Sequence, residues 1–160
     1  MDVNEEMLRS ILAMYRPERI HLQRLEVIYP NREDIKFGKG KGIFKVRDSE
    51  YREDWPHVTD VQQRECINQL SFVTFGQLIN DGKLNGLEDI TLEQFVDKRK
   101  EILIRKPKFY SYRKITPTES FDGNVVVTGR RRNSDSYIVK VDFSLDKGAT
   151  IGDMGFVLPL

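Results

Sequence analysis

Apolar residues recur in the first part of the chain with two different periods. Residues 4–15 carry apolar side chains at helical spacing and Pro17 follows them, which predicts an amphipathic helix. Residues 20–29 and 41–47 alternate apolar and polar side chains, which predicts two strands. The glycine-rich residues 38–42 lack the spacing of a phosphate-binding loop, and we expect them to form a flexible hairpin connection.

The longest helical pattern covers residues 59–81. It begins with a capping-box sequence at residues 59–62 (Thr-Asp-Val-Gln) and is followed by Gly82, a typical residue after a helix end. Its first turn is polar, but its later turns carry apolar residues on several sides. We therefore expect this helix to be surrounded by protein. A second capping pattern predicts a short helix over residues 91–98.

The rest of the chain has the pattern of β-structure. Strands are predicted at 99–106, 108–115, 122–132 and 135–145, with a fifth at 150–158. An antiparallel sheet wrapped around one long apolar helix (about 60–81) is the hotdog arrangement, an α+β fold. No repeat or linker interrupts the pattern, so residues 1–160 are predicted to be a single hotdog domain. Hotdog domains usually pair and cover their edge strands, so we expect a homodimer or a higher homo-oligomer.

Composition narrows the class of protein. With 39% apolar and 32% charged residues, the 160-residue chain has a globular composition. One cysteine, Cys66, and two histidines exclude an internal disulfide and most His/Cys metal sites, so no metal or cofactor is predicted and Cys66 is assigned to the core. No apolar run reaches the ~18–20 residues of a membrane span. The acidic N-terminal residues are unlike a secretion signal, so a cytoplasmic location is predicted.

Charge is distributed unevenly along the chain. Residues 1–97 carry 13 basic and 18 acidic residues, whereas residues 98–160 carry 13 basic and 7 acidic residues. A basic face suits a phosphate group or an acidic partner protein, although strands also carry solvated lysines and arginines on an outer face. No basic surface interleaved with aromatic residues indicates a nucleic-acid site.

Three blocks of sequence resemble the FcoT-type acyl-CoA thioesterases. They are residues 66–72 (Cys-Ile-Asn-Gln-Leu-Ser-Phe), 102–106 (Ile-Leu-Ile-Arg-Lys) and 112–117 (Tyr-Arg-Lys-Ile-Thr-Pro), at matching spacing. The similarity runs from about residue 5 to about residue 157. It implies a hotdog fold and hydrolysis of fatty acyl-CoA or acyl-carrier-protein thioesters. Similar proteins of isonitrile lipopeptide biosynthesis add glycine to an α,β-unsaturated acyl-carrier-protein thioester, a lyase-type carbon–nitrogen bond formation, so the resemblance implies two alternative reactions.

The resemblance also implies functional positions. Tyr15 matches a tyrosine that follows the first helix, Tyr51 a tyrosine that precedes the long helix, and Asn68 an asparagine inside it. Where the family has a further asparagine after a His-aromatic pair, this chain has Thr59, two residues after His57. These five residues form the predicted catalytic set.

The chemistry of the long helix suits either reaction. Negative charge develops on the thioester carbonyl oxygen, and the amides of residues 60–64 are candidate donors to it. His57 is a candidate general base near neutral pH, or only a loop residue at the helix entrance. Asn68 is able to hold a water or an amine, or to bond a backbone carbonyl across the core.

Aromatic residues supply further candidates. Tyr15 and Tyr51 either donate hydrogen bonds to substrate or are core residues with satisfied hydroxyls. Trp55, as a pocket wall, and Phe72 are assigned to substrate binding. His21 precedes Leu22 in an alternating segment and is predicted at the surface.

The basic residues between 98 and 114 are the strongest indication of a partner. Carrier proteins are acidic, and both coenzyme A and phosphopantetheine carry phosphates, so cations at one strand edge suit either. Arg105 and Lys106 are the candidate substrate-binding cations, and only one of these neighbours can face inward on a strand. The three arginines at 130–132 are predicted to be solvated.

Two classes of function remain open. A hotdog dehydratase pairs a histidine with a helix carboxylate some fourteen residues later, but that position after His57 is Ser71, which disfavours dehydration. The first hypothesis is an enzyme acting on acyl thioesters. A non-catalytic module that binds an acyl chain or a carrier protein is the other, and it needs a pocket but not the polar residues.

Overall fold

The computed structural model describes residues 5–30, 35–46, 57–116 and 119–160. The helices and strands follow in the order α1 (Glu5–Leu12), β1 (Leu22–Ile28), β2 (Lys39–Phe44), α2 (Asp60–Asn80), α3 (Leu92–Lys98), β3 (Leu103–Ser111), β4 (Phe121–Arg132), β5 (Ser136–Leu145) and β6 (Thr150–Pro159). Short 3-10 turns precede β1 and β3, at Pro17–Arg19 and Arg99–Glu101. Asn4, the first residue of the predicted helix 4–15, and the predicted site residues Tyr51 and Trp55 lie outside the described residues.

The six strands form one antiparallel sheet in the order β1-β2-β4-β5-β6-β3. Helix α2 lies on one face of it, called the inner face below, and contacts β1, β2, β4, α1 and α3. Fifteen of the 21 residues of α2 are buried, which confirms a long helix surrounded by protein. Phe72 and Phe75 contact Phe156 of β6 with ring centroids 5.7 and 5.3 Å apart. The arrangement is the predicted α+β hotdog fold.

Glycines in β2 and immediately before it allow α2 to approach the sheet. Three of them face the helix, each under a different residue: Gly38 under Leu78, Gly40 under Thr74 and Gly42 under Leu70. Two residues of a strand and four residues of a helix both advance by roughly 6–7 Å, so the two spacings stay in step. The prediction of a flexible connection at residues 38–42 is therefore wrong, because Gly40 and Gly42 belong to a strand whose missing side chains make room for α2.

Other boundaries also differ from the prediction. The strands expected at 99–106 and 108–115 are one strand, β3, which continues past a β-bulge between Arg105 and Lys108. Residues before Leu103 form a 3-10 turn instead. Helix α1 ends at Leu12, and Tyr15 follows it in a turn in which its N–H donates to the carbonyl of Leu12 at 2.9 Å. The strands near the C-terminus lie within a residue of their predicted limits.

Two of the three arginines at the end of β4 bind the loop that follows α2. Arg130 donates to the carbonyl of Asn85, and Arg132 donates to both carboxylate oxygens of Asp89 at 2.9 and 2.8 Å. The hydroxyl of Tyr137 also donates to the Asn85 carbonyl, at 2.7 Å. These arginines thus hold a loop as well as facing solvent, a role that no local pattern indicates.

Candidate functional site

The N-terminus of α2 is closed by the capping box that the sequence predicts. The Thr59 hydroxyl accepts from the amide of Gln62 at 3.3 Å, and the Gln62 side chain accepts from the amide of Thr59 at 3.0 Å. The amide of Gln63 donates to the Thr59 carbonyl at 2.9 Å. In the predicted oxyanion segment 60–64, the first-turn amides of Asp60 and Val61 are thus the donors without an acceptor in the helix. Thr59 itself is a cap, and its side chain is engaged.

Gln63 fixes this end of α2 to the sheet. Its amide nitrogen donates to the Val58 carbonyl at 3.1 Å, and its oxygen accepts from the Thr150 hydroxyl at 2.7 Å. The single hydroxyl hydrogen of Thr150 is used in this bond to Gln63. In the hydrogen bond between the Ser111 and Thr150 hydroxyls, 3.2 Å apart, Ser111 is therefore the donor. The N–H of Val58 donates to the Ile115 carbonyl at 2.8 Å. The start of α2 is thus held against β3 and β6. His57, half-buried, immediately precedes this anchored residue.

One face of α2, directed at β3 and β6, carries three polar residues that we call the polar stripe: Arg64, Asn68 and Ser71. The Arg64 guanidinium carbon lies 4.8 Å from the centroid of the Phe109 ring in β3. One turn later, Oδ1 of Asn68 is buried without a hydrogen-bond partner within the described residues, and so is the hydroxyl of Ser71. Phe72 follows one turn after Asn68 and packs on β6. Buried polar atoms normally have hydrogen-bond partners. Two such atoms without a partner among the described residues, both in the polar stripe, therefore indicate a position for a substrate group or a water.

A second polar cluster lies at the start of β1. Arg19 donates from Nε and Nη2 to one oxygen of Glu65, at 3.0 and 2.7 Å, and His21 Nε2 lies 3.1 Å from the other oxygen. The side chain of Gln69 bonds the amides of His21 and Leu22 and the carbonyl of Arg19. His21 is only 3% exposed, so the prediction of a surface residue is wrong. The strand begins one residue later, and its alternation does not apply to His21.

Tyr15 lies beside this cluster. Burial raises the pKa of the Tyr15 phenol well above its ordinary value, and the Glu65 carboxylate raises it further, while Arg99 opposes. At neutral pH the phenol is therefore a protonated donor. Glu65 precedes Asn68 by about one helical turn, so Tyr15 lies near the turn of α2 that comes before Asn68.

Cys66 is fully buried, and burial raises the pKa of its thiol well above the ordinary value, which confirms its assignment to the core.

Acidification is expected to destabilise the protein through His21. Burial lowers the pKa of His21, against the opposing effect of its hydrogen bond to Glu65. The unfolded chain therefore binds this proton more readily than the folded chain does. The contribution to stability is present above the ordinary imidazole pKa of about 6.5 and is lost as the pH falls below it. The free energy of unfolding, measured with urea, should decrease from about pH 7.5 to about pH 5.5.

His21→Gln provides the comparison for that measurement. Glutamine does not titrate but keeps a side-chain donor within reach of Glu65. We expect the decrease in unfolding free energy between the two pH values to be smaller in His21→Gln than in the wild type. An equal decrease in both proteins would show that other groups cause the pH dependence.

The predicted cations lie on the other side of the sheet. Arg105 pairs in register with Gly155, and Lys106 lies in the β-bulge with a φ of 47°. Both line a groove on the outer face, opposite α2, together with Lys108 and Lys140. Arg64, which the sequence analysis did not select, is instead the cation beside Asn68. Its position four residues before Asn68 was the available signal, because that spacing puts both on one helix face.

The fold and this site define a hotdog protein of the thioesterase-like class. Residues 10–154 match the model of the FcoT-like thioesterase domain, so the chain belongs to that family. Acyl-thioester processing is therefore its general class of activity. No curated protein matches the sequence at a significant level.

Solved structures share the fold at low sequence identity. A mutant of the thioesterase PA1618 from Pseudomonas aeruginosa matches with a TM-score of 0.54 and 10% identity, over 99% of this chain and 96% of that chain. Cj0977, a sigma28-regulated virulence protein from Campylobacter jejuni, matches with a TM-score of 0.54 and 11% identity, over 96% and 95%. Zebra fish thioesterase superfamily member 2 matches with a TM-score of 0.51 and 11% identity, over 97% and 94%.

Two kinds of feature are absent from the described residues. None of the helices there is long and apolar enough to cross a membrane. That same part of the chain contains no group of three or more His, Cys, Asp or Glu residues placed to hold a metal ion.

Proposed function

We propose that this protein hydrolyses acyl thioesters carried by coenzyme A or by the phosphopantetheine arm of an acyl-carrier protein. The observation that carries the proposal is Oδ1 of Asn68 in the polar stripe, which is buried and has no hydrogen-bond partner among the described residues. Leaving such an atom unpaired costs stability, which fits a group reserved for a reactant. Membership of the FcoT-like family supports the thioester class.

In this mechanism each group has one role. Asn68 holds a water, and His57 removes a proton from it as the water oxygen bonds to the carbonyl carbon. The first-turn amides of Asp60 and Val61 stabilise the negative charge on the carbonyl oxygen. Asn68 lies eight residues beyond Asp60 in α2, about 12 Å along the helix axis, so the amides and the water-holding Asn68 act on one carbonyl from two different subunits of a dimer. The Tyr15 phenol, near Glu65, is a further donor on the Asn68 side. The carbon–sulfur bond then breaks, and the thiolate leaves with the proton held by His57.

Arg64 favours a second reaction, the addition of glycine to an α,β-unsaturated thioester. Its guanidinium is exposed, is stacked on Phe109 and makes no ion pair within the described residues. It suits the carboxylate of an amino acid whose amine is held by Asn68. The amine nitrogen then bonds to the β-carbon, the negative charge passes to the carbonyl oxygen as an enolate, and a proton returns to the α-carbon. No group leaves.

Intact-protein mass spectrometry separates these reactions. A crotonyl-loaded acyl-carrier protein is incubated with the enzyme, with and without glycine. Loss of the acyl group in both samples supports hydrolysis. A gain of the mass of one glycine supports addition and contradicts hydrolysis as the main reaction. If neither mass changes while the loaded carrier still binds, the non-catalytic binding module is the better account.

We also propose that the chain forms a homodimer through β3, one of the two edge strands of the described sheet. Leu103 and Tyr110 on this strand are 65% and 53% exposed, and exposed large apolar side chains on an edge strand favour pairing with another chain. Light scattering should give twice the 18.7 kDa mass of the chain. A monomer mass at micromolar concentration would contradict this assembly.

A further inference from the structure

The outer face of the sheet contains a groove of about 470 Å³ between β3, β6 and β5. Four cations line it, Arg105, Lys106 and Lys108 from β3 and Lys140 from β5. Asp142 and Asp153 also line it. We call this feature the basic groove.

The backbone creates the space for the groove. Residues 106 and 107 of β3 stand opposite the single residue Met154, so the strand bulges away from β6. Gly155, which pairs with both Arg105 and Lys140, has no side chain to fill the gap. Lys106 adopts a φ of 47°, a conformation that residues other than glycine seldom adopt. This irregularity gathers cations from two strands around one depression.

The cations of the basic groove are not neutralised by their neighbours. Among the described residues, none of the four lies within 4.0 Å of a carboxylate oxygen, the limit that the recorded ion pairs satisfy. Elsewhere on the same face, Lys41 does reach a cross-strand partner, Glu26, at 3.7 Å. In the groove the two aspartates instead face each other across β5 and β6. Four cations against two carboxylates leave a net positive site.

We propose that the basic groove binds the phosphate groups attached to the pantetheine arm of the thioester substrate. This inference rests on the proposed function and assigns a recognition site to it. Lysine and arginine side chains are the usual ligands of phosphate, and the depression has the size of a small-molecule site. The cations that the sequence singled out thus recognise the carrier end of the substrate, while Arg64 is the cation near the reacting end.

The groove and the polar stripe lie on two faces of the same edge strand. Lys108 faces outward into the groove, and the next residue, Phe109, faces inward under Arg64. Pro107, in the bulge between Arg105 and Lys108, has no N–H to offer a neighbouring strand. The edge is therefore left open at the groove, even where the rest of β3 pairs with a second copy. A flexible arm can cross the edge there from the phosphate site to the acyl site.

A comparison of two thioesters tests the proposal. The same acyl group is presented on coenzyme A and on N-acetylcysteamine, which has the thiol end of the arm but no phosphate. For the double variant Lys108→Gln/Lys140→Gln we expect kcat/KM to fall on the order of tenfold for the coenzyme A thioester, through KM. The N-acetylcysteamine thioester should be processed as by the wild type. The matched control, Lys39→Gln/Lys41→Gln at the other end of the same face, should leave both rates unchanged.

The possible outcomes distinguish a failure of the phosphate site from a failure of the proposed function. An unchanged rate with every phosphate-bearing substrate, or an equal fall with both thioesters, would overturn the phosphate site. A fall with a carrier-protein thioester but not with coenzyme A supports the site and identifies the carrier as the source of the phosphate. If the wild type processes no thioester, the proposed function fails. Calorimetric titration with coenzyme A then tests the groove alone: equal affinity for wild type and double variant overturns it, and weaker binding by the variant supports it.

Discussion

Replacing Asn68 by alanine is expected to abolish most of the activity while leaving the protein as stable as before. Removal of a positioned polar group from a reaction site typically lowers the rate by about 10²–10³-fold. Oδ1 of Asn68 is buried without a partner among the described residues, so its removal breaks no hydrogen bond and takes an unsatisfied atom out of the core. The measurements are kcat/KM on an acyl thioester and the free energy of unfolding in urea.

The pairing of the two measurements makes this prediction specific. A residue that only supports the fold would lose stability and activity together, whereas a residue kept for reaction loses activity alone. Asn124→Ala on the outer face is the matched control, since that side chain is remote from α2 and lines a different depression. Full activity of Asn68→Ala, with loss of stability, would contradict the assignment of Asn68 to the site. Retained binding of the loaded substrate without turnover would argue against a non-catalytic module.

Gly40→Ala is expected to destabilise the protein strongly. A methyl group at this position would overlap the hydroxyl of Thr74, which is held in place by its hydrogen bond to the Leu70 carbonyl at 2.6 Å. Overpacking of a core typically costs about 1–3 kcal/mol, and here the sheet and α2 would both have to shift. We expect a decrease of about 3 kcal/mol in the unfolding free energy, seen as a lower urea midpoint.

Two variants check the physical reason. At Gly129 the nearest atoms to an added methyl group lie 3.6 Å away, an ordinary contact, so Gly129→Ala should leave stability nearly unchanged. In Gly40→Ala/Thr74→Ala the overlapping hydroxyl is absent. The double variant should therefore lose less unfolding free energy than the sum of the losses in the two single variants. Strict additivity of the two substitutions would show that steric overlap is not the cause.

The two effects concern two neighbouring faces of one helix. The face of α2 with Leu70, Thr74 and Leu78 packs so closely on β2 that only glycine fits opposite it. The face with Asn68 and Ser71 retains polar atoms that have no hydrogen-bond partner in the part of the chain that the structure describes. Close packing on the first face holds the second in a defined position, which a reaction site requires.

The sequence by itself determined the elements whose signals are local. The capping boxes of α2 and α3 depend on residues three positions apart, and both form as predicted. Alternation within β4, β5 and β6 marks their buried faces, since successive side chains of a strand point to opposite sides. The fold class followed from the order of these elements around one apolar helix. The resemblance to the FcoT-type family, which supplied Asn68, also rests on sequence alone.

Only the tertiary structure decided how distant residues meet. His21 is buried with its ring nitrogen Nε2 hydrogen-bonded to Glu65, which lies 44 residues later in the sequence. The glycines of β2 are recognised as packing positions only because α2 lies against them. Around the bulge in β3, Arg105 and Lys106 both lie on the outer face of the sheet. The cation next to Asn68 is instead Arg64, one turn earlier on α2. Such contacts depend on register and on the approach of separate elements, and neither quantity is encoded in a short window of the chain.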